Sequence, residues 1–178
     1  RFFVGIGRPA AAGNFWHAET YFEGPLIGAT MREKEKLSGP WPQRKVDHHR
    51  KQKEGMIVGK GIFITGTDTD IGKTYVTALL VKTLREAGYD AGYYKAAISG
   101  ADSVAESDAG FVNRFAGIGE SEDMLLSYLY KHAVSPHLAA RMEGHPVEKK
   151  VILAGWARAA ARYPYVTMEG SGGICCPI

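Results

Sequence analysis

One stretch of ten residues combines glycines, hydroxyl side chains and a lysine at a spacing that could bind phosphate. Residues 65–74 read Thr-Gly-Thr-Asp-Thr-Asp-Ile-Gly-Lys-Thr, and they follow the apolar run of residues 61–64. This pattern predicts a buried strand, a glycine-bearing turn and a helix that begins at Lys73-Thr74. Backbone N–H groups at a helix N-terminus attract anions, the lysine reaches the outer phosphates of a nucleotide, and the threonine hydroxyl holds Mg²⁺. The segment therefore predicts a loop that binds a nucleoside triphosphate.

The match to the phosphate-loop consensus has one departure. In the pattern G-x-x-x-x-G-K-[ST], Thr67 takes the place of the first glycine, and the glycine lies one residue earlier, at Gly66. A solvated turn that happens to contain Gly-Lys-Thr is the alternative. A strand before the loop and a helix after it are both predicted, and this context favours the phosphate loop.

Polar residues also lie at the ends of two other predicted strands. Lys95 ends a strand predicted over 90–95, Glu169 follows one predicted over 165–168, and Asp108 lies near a helix start. Open α/β sheets bind ligands at the carboxyl ends of their strands. The lysine would neutralise phosphate charge, and two carboxylates with a threonine hydroxyl would suit Mg²⁺. Taken singly, Lys95 could be solvated and Asp108 could merely favour its helix start, whereas a buried unpaired Glu169 would be costly.

The elements that must position these residues alternate between strand and helix. Strands are predicted over 61–66, 90–95 and 165–168, and helices over 73–87, 107–115, 136–143 and 147–161. Such alternation predicts an α/β fold of the P-loop NTPase type, in which a mostly parallel sheet carries helices on both faces. Because the sequence stops soon after residues 170–173, we expect the domain to be incomplete at its C-terminal side.

Two segments of different character make up the chain. Residues 1–55 lack sustained periodicity and carry ten Lys and Arg against six Asp and Glu, whereas residues 56–178 carry twelve against thirteen. We interpret 1–55 as a disordered, translated leader and Met56 as the natural start of the domain. The basic excess thus lies outside the patterned part, which gives no reason to expect a nucleic-acid partner.

Composition also indicates what kind of protein this is and where it acts. Of the 178 residues, 45% are apolar and 23% are charged, and no apolar run approaches the length of a membrane span. We therefore expect a cytoplasmic protein without a membrane partner. The adjacent Cys175 and Cys176 are poorly placed to bridge each other, and we expect two buried thiols on a strand.

The motifs together resemble one known family, dethiobiotin synthase. The similarity covers about residues 56–178, in the order and spacing of five segments: residues 65–74, Gly92-Tyr93-Tyr94-Lys95 with Ser99-Gly100, Ser107-Asp108-Ala109, Ser135-Pro136-His137, and Glu169-Gly170-Ser171-Gly172-Gly173. It corresponds to roughly the first half of a complete family member. Two departures from the family pattern are small, Ala96 in place of a proline and Ser171 in place of an alanine.

The resemblance implies an ATP- and Mg²⁺-dependent ligase of biotin biosynthesis. In that family, 7,8-diaminopelargonic acid takes up CO₂ (or bicarbonate) as a carbamate, ATP phosphorylates the carbamate, and the second amine closes the ring with loss of phosphate. The resemblance also implies a homodimer for the full-length protein. A fragment that lacks the second half would itself be inactive.

The family's functional residues match positions of this chain. By this resemblance Lys73, Lys95, Thr69 and Ser99 are catalytic or substrate-holding, and Thr74, Asp108 and Glu169 bind Mg²⁺. The resemblance assigns nucleotide binding to a larger set, namely Asp68, Thr69, Asp70, Ile71, Gly72, Lys73, Thr74, Glu169, Gly170 and Gly172.

Three other interpretations remain open at this point. A partition-type ATPase switch would place a signature lysine where Asp68 stands, which argues against that class. A cobyrinate-type amide synthase shares the fold and the loop, and a downstream amidotransferase domain would support it. A truncated product that does not fold stably is the non-enzymatic alternative.

Overall fold

A five-stranded sheet flanked by helices forms the described part of the chain. The computed structural model describes residues 2–7 and 60–178. The strands are β1 Phe2–Gly7, β2 Lys60–Gly66, β3 Ala91–Ser99, β4 Leu126–Tyr130 and β5 Tyr165–Glu169. The helices are α1 Lys73–Glu86, α2 Asp108–Phe115, α3 Glu122–Leu125, α4 Pro136–Met142 and α5 Lys149–Arg162.

The strands follow the order β1-β2-β5-β3-β4. Strands β2, β5, β3 and β4 are mutually parallel, and β1 pairs antiparallel with β2. Helix α5 packs on β3, β4 and β5, while α1 and α2 pack on each other and on β3. The predicted α/β fold with a mostly parallel sheet is confirmed. Parallel pairing places the ends of β2, β3 and β5, with the loops that follow them, at one edge of the sheet.

The predicted strand over 90–95 was too short. Strand β3 continues to Ser99, because its second half pairs with β4, from Lys95 opposite Leu126 to Ser99 opposite Tyr130. The prediction that Lys95 ends a strand was therefore wrong. Lys95 nevertheless lies at the ligand edge, because its partner across the ladder is Glu169, the last residue of β5.

Strand β4 and the short helix α3 were not predicted. The strand reads Leu-Ser-Tyr-Leu-Tyr with alternate residues buried, which is the period-two pattern of a half-buried strand. The signal was present in the sequence, but only five residues carry it.

The core lies between the sheet and the helices on either side of it. Ala78 and Val81 of α1, Val112 of α2 and Val166 of β5 are fully buried and belong to one apolar cluster. Helical spacing in the sequence places Val76, Leu79, Leu80 and Leu84 on one face of α1, but the structure leaves Leu79 41% exposed and buries Ala78 and Val81 instead. The packing fixes α1 and α2 over β3 and β5, and their first turns thereby flank the ligand edge.

The two cysteines do not lie on a strand. They follow the glycine-rich turn after β5, where Cys175 is exposed and Cys176 is partly buried. The prediction of buried strand thiols was wrong, because the chain leaves the sheet at Glu169. Among the described residues, no helix is long and apolar enough to cross a membrane.

Strand β1 falls within the segment 1–55 that the sequence assigned to a leader, whereas residue 1 and residues 8–55 of that segment lie outside the described residues. We expect a chain that begins at Met56 to keep its fold, since the buried apolar side chains that the structure describes belong to residues 64–168. Circular dichroism and limited proteolysis of the two forms would check this. Aggregation of the shortened chain would show instead that β1 protects the edge of β2.

Candidate functional site

The predicted phosphate loop joins β2 to α1. Lys73 is the first residue of α1 and is only 6% exposed, although it carries a charge. Its Nζ donates to the carbonyl oxygen of Asp68, so the lysine folds back over its own loop. Gly72 precedes the helix with φ of 95°, in the left-handed region that glycine adopts without strain. The loop thus has the strand-turn-helix form that phosphate binding requires.

The other loop residues divide between exposed and packed positions. Asp68, Thr69 and Asp70 are exposed, and the carboxylate of Asp68 accepts a hydrogen bond from the Thr69 amide at 2.7 Å. Ile71 is partly buried, and its side chain lies directly over Gly66. The glycine that comes one residue early in the consensus therefore accommodates the side chain of Ile71.

A cluster of four polar side chains centres on Glu169, at the end of β5. Glu169 is 1% exposed, and its Oε1 accepts hydrogen bonds from Thr74 Oγ1 at 2.8 Å and Lys95 Nζ at 2.8 Å. The same Lys95 Nζ lies 2.5 Å from Asp108 Oδ2. Three elements remote in sequence from β5 thus supply Thr74, Lys95 and Asp108. The structure brings together all three residues predicted to bind metal, with Lys95 between the two carboxylates.

The two carboxylates of this cluster keep Lys95 charged. Burial, the largest influence, would lower the pKa of Lys95, but Glu169 and Asp108 raise it above its ordinary value. The lysine therefore stays cationic although it is 4% exposed. The Asp108 side chain is 45% exposed, whereas the Glu169 side chain is fully buried. The cluster consequently opens to solvent on the Asp108 side.

Two adjacent tyrosines of β3 point to opposite faces of the sheet. Tyr93 is 1% exposed, and its hydroxyl donates to Glu169 Oε2 at 3.1 Å. Burial raises the pKa of Tyr93 well above its ordinary value, and the charges of Glu169 and Asp108 raise it further, so the phenol remains a protonated donor. The Tyr94 hydroxyl instead lies 2.8 Å from Ser127 Oγ and donates to the carbonyl of Ile152 on α5.

Thr74, Asp108 and Glu169 fit a magnesium ion by the chemistry of their donor atoms. Mg²⁺ takes one or two carboxylates from a protein and completes its sphere with water and substrate phosphates. Within residues 60–178, no group of three or more His, Cys, Asp or Glu side chains gathers to hold a metal. An ion at this cluster would therefore need the hydroxyl and phosphate oxygens as well, as an ion that accompanies a nucleotide does.

The glycine-rich turn after β5 packs backbone against backbone on the phosphate loop. The Gly170 amide donates to the Ile64 carbonyl at 2.8 Å, and the Ile174 amide donates to the Gly66 carbonyl at 2.7 Å. A Cβ on Gly173 would lie 2.7 Å from the carbonyl oxygen of Thr67, which explains the glycine there. The Gly170 amide is thus engaged in packing the turn.

Two serines donate hydrogen bonds at this edge of the sheet. The Ser171 hydroxyl donates to the carbonyl of Ala97 and ties the glycine-rich turn to β3. Ser99 ends β3, and its hydroxyl donates to the Val134 carbonyl at 2.6 Å. Of the predicted site residues, Ser99 lies furthest along the strand, beyond the Glu169 cluster.

A cleft of about 360 Å³ joins the phosphate loop to the Glu169 cluster. It is lined by nine predicted site residues and by two that were not predicted: Thr69, Asp70, Gly72, Lys73, Thr74, Lys95, Asp108, Glu169 and Gly172, with Tyr75 and Phe111. The sequence analysis also gave no role to Tyr93. Its spacing of two residues from Lys95 on a strand was the available signal, because such residues share a face.

A larger open depression of about 540 Å³ lies where α1 and α2 end. Its arginines already have partners, since Arg85 donates to the carbonyls of Ala91 and Gly117, and Arg114 donates to that of Ala105. The C-termini of two helices add partial negative charge there. The smaller cleft, with two buried lysines beside a phosphate loop, is therefore the candidate site.

Curated relatives match about two thirds of the chain. The chain is 50% identical over 121 residues to the ATP-dependent dethiobiotin synthetase BioD of Brachyspira hyodysenteriae, and 48% identical over 125 residues to the protein of that name from Clostridium botulinum. Each match covers 68% of this chain and 55% of the relative. The chain thus spans about half the length of these relatives. Their names confirm the resemblance to dethiobiotin synthase.

A second comparison, with protein families, gives the residues that match. The family described as the AAA domain matches residues 60–178, which include the phosphate loop, the Glu169 cluster and every strand of the parallel sheet. The matched region is about two thirds of the chain. The chain belongs to this AAA domain family.

Proposed function

We propose that residues 60–178 carry the phosphate- and metal-binding half of a dethiobiotin synthase. The convergence of Lys95, Thr74, Asp108 and Glu169 beside the phosphate loop supports this most directly. Relatives at 48–50% identity that are named ATP-dependent dethiobiotin synthetase support the substrate class. The substrates under this proposal are 7,8-diaminopelargonic acid, CO₂ or bicarbonate, and ATP. The enzyme would act in the cytoplasm as a homodimer.

The proposed reaction has three steps. An amine of diaminopelargonic acid forms an N–C bond with CO₂ and loses a proton, which gives a carbamate. A carbamate oxygen then attacks the γ-phosphorus of ATP, and the bond to the β-phosphate oxygen breaks to release ADP. Finally the second amine attacks the carbamoyl carbon, the bond to the phosphate oxygen breaks, and phosphate and a proton leave. Phosphoryl transfer of this kind depends mainly on positioning and charge neutralisation.

The predicted site residues would take part through their positions. Lys73 would leave the Asp68 carbonyl to hold the outer phosphates, and Lys95 would neutralise the carbamate and the phosphoryl group in transfer. Thr69 and Ser99 would hydrogen-bond the substrate, and the phosphate loop with Gly172 would line the nucleotide. When bound to Thr74, Asp108 and Glu169, Mg²⁺ would supply charge neutralisation at the phosphates.

A chimera would test the proposal. Residues 60–178 would replace the matched part of the Brachyspira hyodysenteriae relative, and dethiobiotin would be measured by mass spectrometry after incubation with diaminopelargonic acid, ¹³C-bicarbonate, ATP and Mg²⁺. We expect labelled dethiobiotin and one ADP for each product molecule. A folded chimera that binds ATP but makes no dethiobiotin would contradict the proposal.

Asp108→Asn and Glu169→Gln in this chimera should each raise the Mg²⁺ concentration needed for half-maximal activity. Each change removes a charged oxygen donor from the proposed metal site. Titration of Mg²⁺ against initial rate would measure the effect. Glu122→Gln, at an exposed position on α3, is the matched control and should leave the titration unchanged. An unchanged Mg²⁺ requirement in both site variants would remove these carboxylates from the metal site.

A further inference from the structure

We propose that Tyr93 is a positioning residue that holds Glu169 with one carboxylate oxygen, Oε1, facing the cleft. The inference rests on the proposed function, because Glu169 serves there as a metal ligand. Tyr93 itself is absent from the residues that line the cleft. It would act on the ion through Glu169 alone.

The two oxygens of Glu169 have different partners. Oε1 accepts from Thr74 and from Lys95, both of which line the cleft, whereas Oε2 accepts from the Tyr93 hydroxyl. The terminal torsion of a glutamate is broad, so its carboxylate rotates readily when nothing fixes it. The phenol holds Oε2 away from the cleft and thereby orients Oε1 toward Thr74 and Lys95.

Burial increases the cost of losing the hydrogen bond between Tyr93 and Glu169. Tyr93 is 1% exposed and the Glu169 side chain is fully buried, so water cannot easily replace the phenol as a donor. A buried polar atom that loses its partner keeps the full cost of its desolvation. Without the phenol, the carboxylate of Glu169 would rotate to bring its second oxygen closer to another donor, and the geometry that it offers to an ion in the cleft would change.

The neighbouring residues fix the phenol in turn. Tyr93 lies two residues before Lys95 on β3, opposite Thr167 of β5, so its ring stands on the same face of the sheet as Lys95 and Glu169. Ala78, Val81 and Val112 belong to the same buried cluster as its ring. A ring held by close packing gives its hydroxyl one position, as a group that orients a metal ligand requires.

The chain offers a matched control in the next residue. Tyr94 lies on the same strand and is also fully buried, and its hydroxyl also bonds to protein groups, those of the partly buried Ser127 and Ile152, but on the α5 face. Tyr93→Phe and Tyr94→Phe therefore delete the same atom from adjacent positions. Only the first deletion touches Glu169.

Mn²⁺ binding to the 178-residue chain would test the inference, with loss of the free-ion electron paramagnetic resonance signal as the readout. Groups that orient metal ligands change metal affinity by about 10–100-fold when removed. We expect Tyr93→Phe to raise the Kd for Mn²⁺ by about tenfold or more and Tyr94→Phe to leave it near the wild-type value. An unchanged Kd in Tyr93→Phe, or an equal rise in both variants, would overturn the inference.

Glu169→Gln separates this inference from the proposed function. If Glu169→Gln abolishes Mn²⁺ binding while Tyr93→Phe does not change it, only the role of Tyr93 is wrong. If Glu169→Gln binds Mn²⁺ as the wild type does, the proposed metal site is wrong and the inference falls with it. Should Tyr93→Phe fail to fold, recovery of the fold in Tyr93→Phe/Glu169→Gln would support the pairing, and continued failure would overturn it.

Discussion

Lys73→Ala should lower the rate of dethiobiotin formation by the chimera on the order of 10²–10³-fold, the cost of losing one fixed donor to a developing charge. Lys73 opens α1 directly after Gly72 and is 6% exposed, so its ammonium is confined to the phosphate loop. The Asp68 carbonyl that it contacts is a neutral partner, which an anionic phosphate would readily replace. Nucleotide affinity should fall as well, because the same lysine would hold the ground-state phosphates.

Two measurements would check this prediction. Initial rates of labelled dethiobiotin formation give the loss in the chimera, and fluorescence titration with a labelled ATP analogue gives the loss of affinity in the 178-residue chain. Lys149→Ala, which removes an exposed lysine from the start of α5, is the control and should change neither. Turnover near the wild-type value in Lys73→Ala would defeat the assignment of this segment as a phosphate loop.

The sequence was most informative where local spacing determines the structure. The phosphate loop, the start of α1 at Lys73 and the placement of Pro136 at the start of α4 follow from patterns a few residues long, and each was predicted. The far end of β3 was missed, because Ser99 belongs to the strand only through its pairing with Tyr130 of β4, thirty-one positions away. Pairing between distant segments leaves little trace in local periodicity.

The candidate site shows the same contrast between residues found from local patterns and contacts made between distant segments. Lys95, Asp108 and Glu169 were predicted as site residues from their types and their places near strand or helix ends. The hydrogen bond from Tyr93 to Glu169 spans 76 positions and depends on the register between β3 and β5. A tyrosine in an apolar strand also reads as an ordinary core residue, so its type gave no distinct signal.

Lys95→Met should destabilise the folded chain by about 3–5 kcal/mol, the usual cost of removing one partner of a buried ion pair. Lys95 and Glu169 have side chains that are 5% and 0% exposed, and Glu169 Oε1 receives the ammonium at 2.8 Å. Methionine fills similar volume without charge, so the loss would come from the unpaired carboxylate rather than from a cavity. Urea denaturation monitored by circular dichroism would measure the change in unfolding free energy.

A double variant and a surface control make this test more specific. Lys95→Met/Glu169→Gln should recover part of the loss, because it removes the buried charge that the single variant leaves unpaired. Lys82→Met is the control: Lys82 lies 3.8 Å from Glu86 on the exposed side of α1, where solvent screens the pair. The control should therefore lose far less stability than Lys95→Met. Equal losses in Lys95→Met and Lys82→Met would show that the buried lysine does not hold the Glu169 cluster together.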